Sequence, residues 1–370
     1  MGLGQSCQLP KPLLKTADKF PVEVWEKIFE FLPHKDRKAV VLVGRLWRKA
    51  GEAPHLWTWV QLPVVLDQKS RVRAIKMLQV SRFARLERIQ IDGAETASED
   101  LLQAVIAHTG LKRIDLQRGE LSAGSDSQLV IEALTGVERL VLSVPNFPII
   151  DLLTEVSEGG GGTLKEVTLF CNKLDEVPPA IVASALTRLE KVYLGVSWGV
   201  SLTSDQVSAL MEAINQDDSS LKQLTFVGSL PTQAERTSHL NLRPLLKVEK
   251  VELLFNFHTQ QELVDFIGAL SPSATLRKLS INTRLAEEER LLNLTPLVNL
   301  DEVFLGGNFF RHKLVDFFAA LSDSTKLKKL SLRCLTWPAE DPMDGSTEVG
   351  ARAINFLEKV DLAGAYPYQV

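Results

Sequence analysis

A short phrase that recurs along the chain constrains its fold more than any other feature. In the clearest copies, at residues 111–116, 189–194 and 327–332, apolar residues occupy the first, fourth and sixth of six places. The same phrase starts at eight further positions: Leu86, Val137, Leu164, Leu221, Val248, Leu276, Leu300 and Leu357. Each copy starts 24 to 32 residues after the preceding one, which indicates an array of about eleven irregular structural repeats.

Each repeat is expected to form a strand on the phrase and a helix after it. A degenerate first strand is predicted over residues 57–62, and a helical run over 70–83 returns the chain to Leu86. Amphipathic helices are predicted over residues 99–107, 126–134, 203–215, 259–270 and 312–321. This pattern predicts an α/β leucine-rich-repeat solenoid of the ribonuclease-inhibitor-like form over residues 63–370, with a concave parallel sheet and outer helices.

Local residues refine this prediction at a few places. Thr203 with Gln206, and Thr259 with Glu262, have the spacing of a helix capping box. An asparagine follows the last apolar place of the phrase by three residues in only three repeats, at Asn172, Asn256 and Asn308. The regular asparagine ladder is therefore mostly missing, and we expect an irregular array.

Composition excludes several classes of protein. The net charge is only -4 and basic residues are spread along the chain, which disfavours a nucleic-acid binder. Cys7, Cys171 and Cys334 are far apart, so none has metal-ligand or redox spacing, and they are typical of a reducing compartment. Since the sequence has neither an apolar run long enough to cross a bilayer nor a secretory signal, it predicts a cytoplasmic protein, with a nuclear location also open.

The first 18 residues are predicted to be a flexible leader with one feature of its own. Gly2 opens a pattern typical of N-myristoylation, and Cys7 beside it is a candidate palmitoyl acceptor. Two acyl chains would anchor the protein to a membrane, whereas one chain binds only marginally. The alternative is that this short pattern carries no modification, because glycine often follows the initiator methionine.

Residues 19–62 carry the most specific pattern in the chain. Pro21 is well placed to open a helix, and Trp25, Ile28, Phe29 and Leu32 then form one apolar face. Val24 and Phe31 lie seven residues apart and off that face, so the helix is apolar over more of its circumference than one contact surface requires. A second helical run over 36–42 follows. A module of about 40 residues is too small to bury so many aromatic side chains alone, which predicts a protein partner.

This stretch resembles an F-box, and the whole chain resembles the F-box proteins with C-terminal leucine-rich repeats. The residues that match the F-box pattern are Phe20, Pro21, Glu23, Val24, Trp25, Ile28, Phe29, Leu32, Asp36, Val43, Trp47, Arg48, Leu56 and Trp57. The sequence departs from the pattern at Phe20, where leucine is usual, at Arg37, where an apolar residue is usual, and at Gly44, where cysteine is common. Arg37 is expected to weaken the second helix slightly.

The resemblance implies a function. F-box proteins dock on a Skp-type adaptor that joins them to a cullin-RING (SCF-type) ubiquitin ligase, and their other domain captures a protein substrate. The implied adaptor-binding residues, divided between the core of the module and the interface, are Pro21, Val24, Trp25, Ile28, Phe29, Leu32, Val43 and Trp47. Two alternatives stay open: Trp25, Ile28 and Phe29 pack on the first repeat, or the chain is a repeat-based binding or inhibitory scaffold without ubiquitin transfer.

Equivalent places of the phrase in neighbouring strands form rows across the predicted sheet. These rows indicate how the charges of the sheet are arranged. The second place of the phrase alternates in sign from Glu87 to Glu358, which predicts a ladder of opposite charges across neighbouring strands. The third place is mostly basic, interrupted by Glu166, Gln223 and Glu302. Some of these cations are expected to pair diagonally with the second row. The third row is therefore either a solvated face or a surface that attracts an acidic partner.

Apolar residues on the predicted concave face are candidates for substrate binding. They are Val141, Phe170, Tyr193, Trp198, Leu254, Phe255 and Phe304. The alternative is that loops fold over them and make them core. The Gly159–Gly162 run lacks the lysine and hydroxyl residue of a phosphate-binding loop, and the six histidines have no metal-ligand spacing. The sequence therefore predicts a binding protein without a cofactor, a metal or catalytic residues of its own.

Overall fold

The structure is a computed structural model of the chain. It describes residues 20–62, 68–92, 99–117, 131, 134, 136–143, 149–159, 162–170, 174–195, 203–229, 241–256, 260–271, 274–283, 293–307, 326–334 and 359–364. Gly2, Cys7, Trp198 and the predicted helix over 312–321 lie outside these ranges. So do residues 1–18, Asn172, Asn308 and Thr259, and most of the predicted helix over 126–134.

The described strands form one parallel sheet of twelve, arranged in chain order. They are β1 (Trp59–Leu62), β2 (Arg88–Asp92), β3 (Arg113–Gln117), β4 (Arg139–Ser143), β5 (Glu166–Phe170), β6 (Lys191–Gly195), β7 (Gln223–Ser229), β8 (Lys250–Asn256), β9 (Lys278–Thr283), β10 (Glu302–Gly307), β11 (Lys329–Cys334) and β12 (Lys359–Gly364). Each of β2 to β12 begins at the third place of a copy of the phrase, and β1 is the predicted degenerate strand. The predicted parallel repeat array is confirmed.

Helices precede the sheet and connect its strands. Before the sheet lie α1 (Val22–Glu30), α2 (His34–Val40) and α3 (Arg45–Gly51), which we call the helical unit. Between strands lie α4 (Gln68–Leu78), α5 (Glu99–Ile106), α6 (Ile149–Glu158), α7 (Pro179–Arg188), α8 (Ser204–Ile214) and α9 (Gln260–Gly268). The chain enters β8 and β10 from short 3₁₀ segments, Arg243–Lys247 and Thr295–Asn299. None of the helices in the described ranges combines the length and hydropathy that a bilayer crossing requires.

The alternation of side chains along each strand separates the core from the other side of the sheet. The fourth and sixth places of the phrase, such as Ile89 and Ile91 in β2, are buried in one continuous cluster with the helices. The third, fifth and seventh places therefore share the opposite side, which we call the open face. Strand register is kept throughout, so that equivalent places lie side by side, as Arg88 lies beside Arg113 and Arg113 beside Arg139.

The helical unit shares its core with the repeats. Trp57 is 1% exposed. Its indole N–H donates to the Gly51 carbonyl over 2.6 Å, at the C-terminal end of α3. The ring meets Phe83 edge-on at 5.7 Å between centroids, and the Arg82 guanidinium lies 4.9 Å from the ring centre. A single cluster of buried residues extends from Phe29 in α1 to the sheet, so packing sets how the unit and the array are oriented.

Arg37 has a structural role that its departure from the F-box pattern did not predict. Helix α2 forms around this residue, and the slight weakening expected from the sequence stays a prediction. The guanidinium donates to three backbone carbonyls: Glu30 over 2.8 Å, Leu32 over 2.9 Å and Leu56 over 2.6 Å. Arg37 thus ties the end of α1 to the segment that enters the sheet, because carbonyls at the end of a helix need donors.

Candidate protein-binding surfaces

Exposed apolar side chains are concentrated in the helical unit. Among the described residues, ten large apolar side chains are exposed, and six of them lie within residues 20–43. These six are Phe20, Val24, Ile28, Phe31, Leu42 and Val43. Scattered exposed apolar residues are ordinary, whereas a concentration of them in so short a stretch indicates an interaction site.

Helix α1 and the turn after it carry two apolar stripes, of which one is buried and the other is exposed. Trp25 and Phe29 face inward, where their ring centroids lie 4.7 and 5.6 Å from the centroid of Trp47. Val24, Ile28 and Phe31 have the same spacing but are rotated by one residue, and we call them the outer stripe. Phe31 is 86% exposed. The helical unit thus buries its inner stripe and leaves the outer stripe open to a partner.

The predicted adaptor-binding residues are distributed over both stripes. Val24, Ile28 and Val43 are exposed, and Pro21 is also at the surface. Trp25, Leu32 and Trp47 are partly buried and pack against the core. Phe29 is only 1% exposed, so its side chain belongs to the internal core of the unit. Phe31 and Leu42 were not among the candidates, although the spacing of Val24 and Phe31 already placed Phe31 off the inner face.

In the described part of the structure, the cations of the third row pair with carboxylates on the open face itself. The diagonal pairing with the second row stays a prediction. In three places one carboxylate lies between two cations, and we call these groups triads A, B and C. Triad A is Arg88–Asp115–Arg113, triad B is Arg139–Glu166–Lys191 and triad C is Lys278–Glu302–Lys329. Each triad thus has two cations around one carboxylate.

Triad A contains the most buried carboxylate of the three. The Asp115 side chain is 1% exposed and comes from the fifth place of β3. Arg88 donates to one of its oxygens over 2.7 Å, and Arg113 donates to the other over 2.6 Å. The Arg88 guanidinium also lies 5.5 Å from the centre of the Trp59 ring. A buried carboxylate is tolerated only when it is paired and hydrogen-bonded, which explains why both arginines converge on it.

Triad C is closer to solvent and remains able to bind a ligand. Lys329 and Lys278 donate to the same oxygen of Glu302, over 2.9 and 3.0 Å. These hydrogen bonds, with that from Lys329 the largest cause, lower the pKa of Glu302 below its usual value. The Lys278 and Lys329 side chains are 47% and 48% exposed, so both ammonium groups are accessible to a ligand.

The predicted ladder of the second row is observed at two steps. Lys112 lies 3.2 Å from Glu87, and Lys222 lies 2.9 Å from Glu190. The hydrogen bond between Glu190 and Lys222 lowers the pKa of the carboxyl group and raises that of the ammonium group. Both pairs are exposed, so they support the register of the strands with only a small contribution to stability.

Four of the predicted apolar candidates are half-buried on the open face. Val141, Tyr193 and Phe304 occupy the fifth places of β4, β6 and β10, and Phe170 the seventh place of β5. The Phe170 and Tyr193 rings pack at 5.2 Å between centroids, with an angle of 50° between their planes. Burial and the negative charge of Glu252 raise the pKa of Tyr193. Leu254 and Phe255 lie in β8, but their side chains are outside the described part of the structure.

Gly195 makes room for this aromatic pair. A Cβ atom at this position would lie 2.2 Å from a ring atom of Phe170 and 3.1 Å from a ring atom of Tyr193. Gly195→Ala is therefore expected to displace Phe170 and to lower the free energy of unfolding by about 1–3 kcal/mol, as other overpacked cores do. Chemical denaturation measures this change. Gly162→Ala, which meets nothing within 4 Å, is the control and should leave stability unchanged. Equal stability of the two variants would contradict the packing described.

A shallow pocket of about 370 Å³ lies on the open face over β8 to β11. Phe304 forms part of its lining, between Ser280 and Ser331 at the equivalent places of the neighbouring strands. The charged lining comes from triad C and from Lys250 and Glu252, whose side chains are 2.6 Å apart. This combination of an aromatic ring, hydroxyl groups and ammonium groups suits an acidic ligand with an apolar part.

Within the described ranges, no group of three or more histidine, cysteine, aspartate or glutamate side chains could hold a metal ion. The outer stripe and the open face are surfaces of the kind through which proteins contact other molecules.

No protein-family model matches the chain, and a search of curated proteins finds no relative for it.

Proposed function

We propose that the chain is the substrate-recognition subunit of a cullin-RING (SCF-type) ubiquitin ligase. In this role residues 19–62 are an F-box that docks a Skp-type adaptor, and the following leucine-rich repeats capture a protein substrate on the open face. The observation that carries the proposal is the outer stripe, exposed on a helical unit whose sequence resembles an F-box. The chain then brings substrate to the ligase and catalyses no step itself.

The outer stripe has enough apolar surface to contribute strongly to adaptor binding. Val24 and Ile28 are 38% and 42% exposed, so covering the remainder is worth about 1 kcal/mol for each side chain. Phe31 is much more exposed, and its burial would contribute about 2 kcal/mol. The inner stripe and Arg37 hold this surface in place before binding, which reduces the entropy that docking has to overcome.

The second candidate function is a repeat-based binding or inhibitory scaffold that acts without ubiquitin transfer. The pocket and triads of the open face favour it, because they could hold a ligand whether or not the helical unit meets an adaptor. In either role we propose a cytoplasmic protein, with a nuclear location also compatible. Association with a membrane would require acylation of Gly2 and Cys7.

Capture from cells separates the two functions. Tagged wild type is expected to retain both the Skp-type adaptor and the cullin. Val24→Ser/Ile28→Ser is expected to retain at least tenfold less adaptor, since about 2 kcal/mol of apolar contact is lost. Val72→Ser/Val80→Ser is the matched control, because these valines are 43% and 45% exposed and lie outside the helical unit. Its adaptor signal should equal that of wild type.

The outcomes are distinct. Absence of both adaptor and cullin from the wild-type sample would overturn the ubiquitin-ligase role. Adaptor without cullin would favour the scaffold. If both valine pairs reduce adaptor capture equally, the outer stripe is not the docking surface. Circular dichroism of each variant checks that the exposed substitutions leave the fold intact, as expected for surface positions.

A further inference from the structure

Charge is unevenly distributed between the open face and the rest of the molecule. The whole chain has a net charge of -4. On the third and fifth rows, however, the described side chains include seven cations and four carboxylates. The face therefore has a positive excess on an otherwise acidic protein. Such an asymmetry attracts and orients an acidic partner.

The two rows of this face differ in chemistry. The third row carries most of the charges, including the outer cations of all three triads. The fifth row carries Val141, Tyr193 and Phe304, with threonine or serine at several neighbouring places. Because residues two apart in a strand are separated by roughly 6.6 Å, a basic row and a partly apolar row run side by side across the sheet.

We propose that the open face binds an extended acidic segment of a protein partner that crosses the strands, with carboxylates along one edge and apolar side chains along the other. In an extended chain, alternate side chains point to opposite edges, so one edge meets the third row and the other meets the fifth. The inference rests on the proposed function only in taking the open face as the substrate surface.

Each triad provides a place for one carboxylate of that segment. Lys278 and Lys329 donate to the same Glu302 oxygen, and their side chains are 47% and 48% exposed, so an incoming carboxylate can contact both ammonium groups. Next to them, Phe304 offers its ring to an apolar side chain, and the Ser280 and Ser331 hydroxyls lie in the same pocket. In triad B the nearby ring is that of Tyr193, which lies on β6 with Lys191, next to the strand of Glu166.

The spacing of the triads limits the sequence of the segment. Glu166 of triad B is on β5 and Glu302 of triad C is on β10, five strands apart. Five strand spacings cover about 24 Å, and an extended chain covers about 3.3 Å per residue. Two carboxylates on the same edge must be an even number of residues apart. The segment is therefore expected to carry acidic residues about six or eight positions apart, with apolar residues at intervening odd positions.

The probe is a fluorescein-labelled peptide of twelve residues in which aspartate and valine alternate. Fluorescence anisotropy at low ionic strength should show saturable binding to the full chain, and added salt should weaken it because the contacts are ionic. A lysine–valine peptide should not bind. An aspartate–serine peptide should bind more weakly than the probe, because it cannot cover Tyr193 and Phe304.

Variants of the chain test the assigned residues, since one variant should weaken binding of the probe and another should strengthen it. Lys278→Gln/Lys329→Gln should weaken binding of the probe by about tenfold or more. Lys112→Gln/Lys222→Gln removes the same charge from ion pairs outside the open face and should change affinity by no more than about twofold. Glu302→Gln should strengthen binding, because it leaves both lysines of triad C without their carboxylate.

Three results would overturn the inference: no binding of the probe, equal binding of the lysine–valine peptide, or unchanged affinity in Lys278→Gln/Lys329→Gln. The test is independent of the adaptor. Probe binding by a chain that fails to capture adaptor would uphold the acidic-segment site and count against the ubiquitin-ligase role. Adaptor capture without probe binding would do the reverse.

Discussion

Trp57→Ala is expected to lower the free energy of unfolding by about 3–5 kcal/mol, the usual cost of removing a large buried aromatic side chain. Trp57 is in contact with both parts of the molecule, through the Gly51 carbonyl of α3 and the Phe83 ring before β2. The substitution leaves a cavity at this junction and a carbonyl at the end of α3 without its donor. Denaturation followed by circular dichroism measures the loss.

Hydrogen exchange of the same variant locates the loss. Amides of α1 and α3 should exchange faster relative to those of β5 and β6, because the helical unit loses a buried contact with the array. Trp57→Phe is the control, since it keeps an aromatic ring beside Phe83 but cannot donate to Gly51. Trp57→Phe should lower the free energy of unfolding by about 1–2 kcal/mol. Similar losses in the two variants would show that the hydrogen bond, and not the packing, holds the junction.

Gln206→Leu is expected to lower the free energy of unfolding by about 2–4 kcal/mol. Gln206 is fully buried at the start of α8, and its side-chain amide donates to the carbonyls of Leu174 and Val177 in the preceding repeat, over 2.7 and 2.6 Å. Leucine fills a similar volume but offers no donor. In the variant the Leu174 carbonyl still accepts a hydrogen bond from the Val177 N–H over 3.1 Å. The Val177 carbonyl is therefore affected more by the loss of the Gln206 donor.

Thr203→Ala separates the two roles of Gln206. Thr203 and Gln206 form a reciprocal capping box, in which each backbone N–H donates to the side chain of the other. Removing the Thr203 hydroxyl affects only the cap and should cost about 1 kcal/mol. Chemical denaturation of both variants compares the effects. Equal losses would mean that the links to Leu174 and Val177 add nothing to the capping box.

The strands could be predicted from sequence because one pattern fixes both their position and their orientation. Apolar residues at the fourth and sixth places fit only a strand with one buried side, and all twelve strands were predicted. Helices α6 and α7 were not predicted. Helix α6 buries Ile149, Leu152, Leu153 and Val156 at the spacing of an amphipathic helix, so its signal was present in the sequence and was missed. Helix α7 begins at Pro179 after a short 3₁₀ turn and contains three alanines, which weakens its apolar period.

The candidate surfaces were predictable only in part, since contacts between side chains depend on neighbours distant in sequence. The sequence placed Val24 off the inner face of α1, and the structure leaves it exposed. It offered no reason to expect that Arg37 would reach three carbonyls, because these come from separate segments. Asp115 was also missed, because a carboxylate buried between two arginines can be recognised only when the register of β2 and β3 is known.

The continuous core between the helical unit and the array makes the molecule a spacer of fixed length. Nine strand spacings separate β1 from β10, which corresponds to about 43 Å along the sheet. The number of repeats would therefore set the distance between a protein bound at the outer stripe and a second protein bound at triad C. Adding or deleting one repeat between β6 and β9 would change that reach by one strand spacing, and with it the effective concentration of one bound protein at the other.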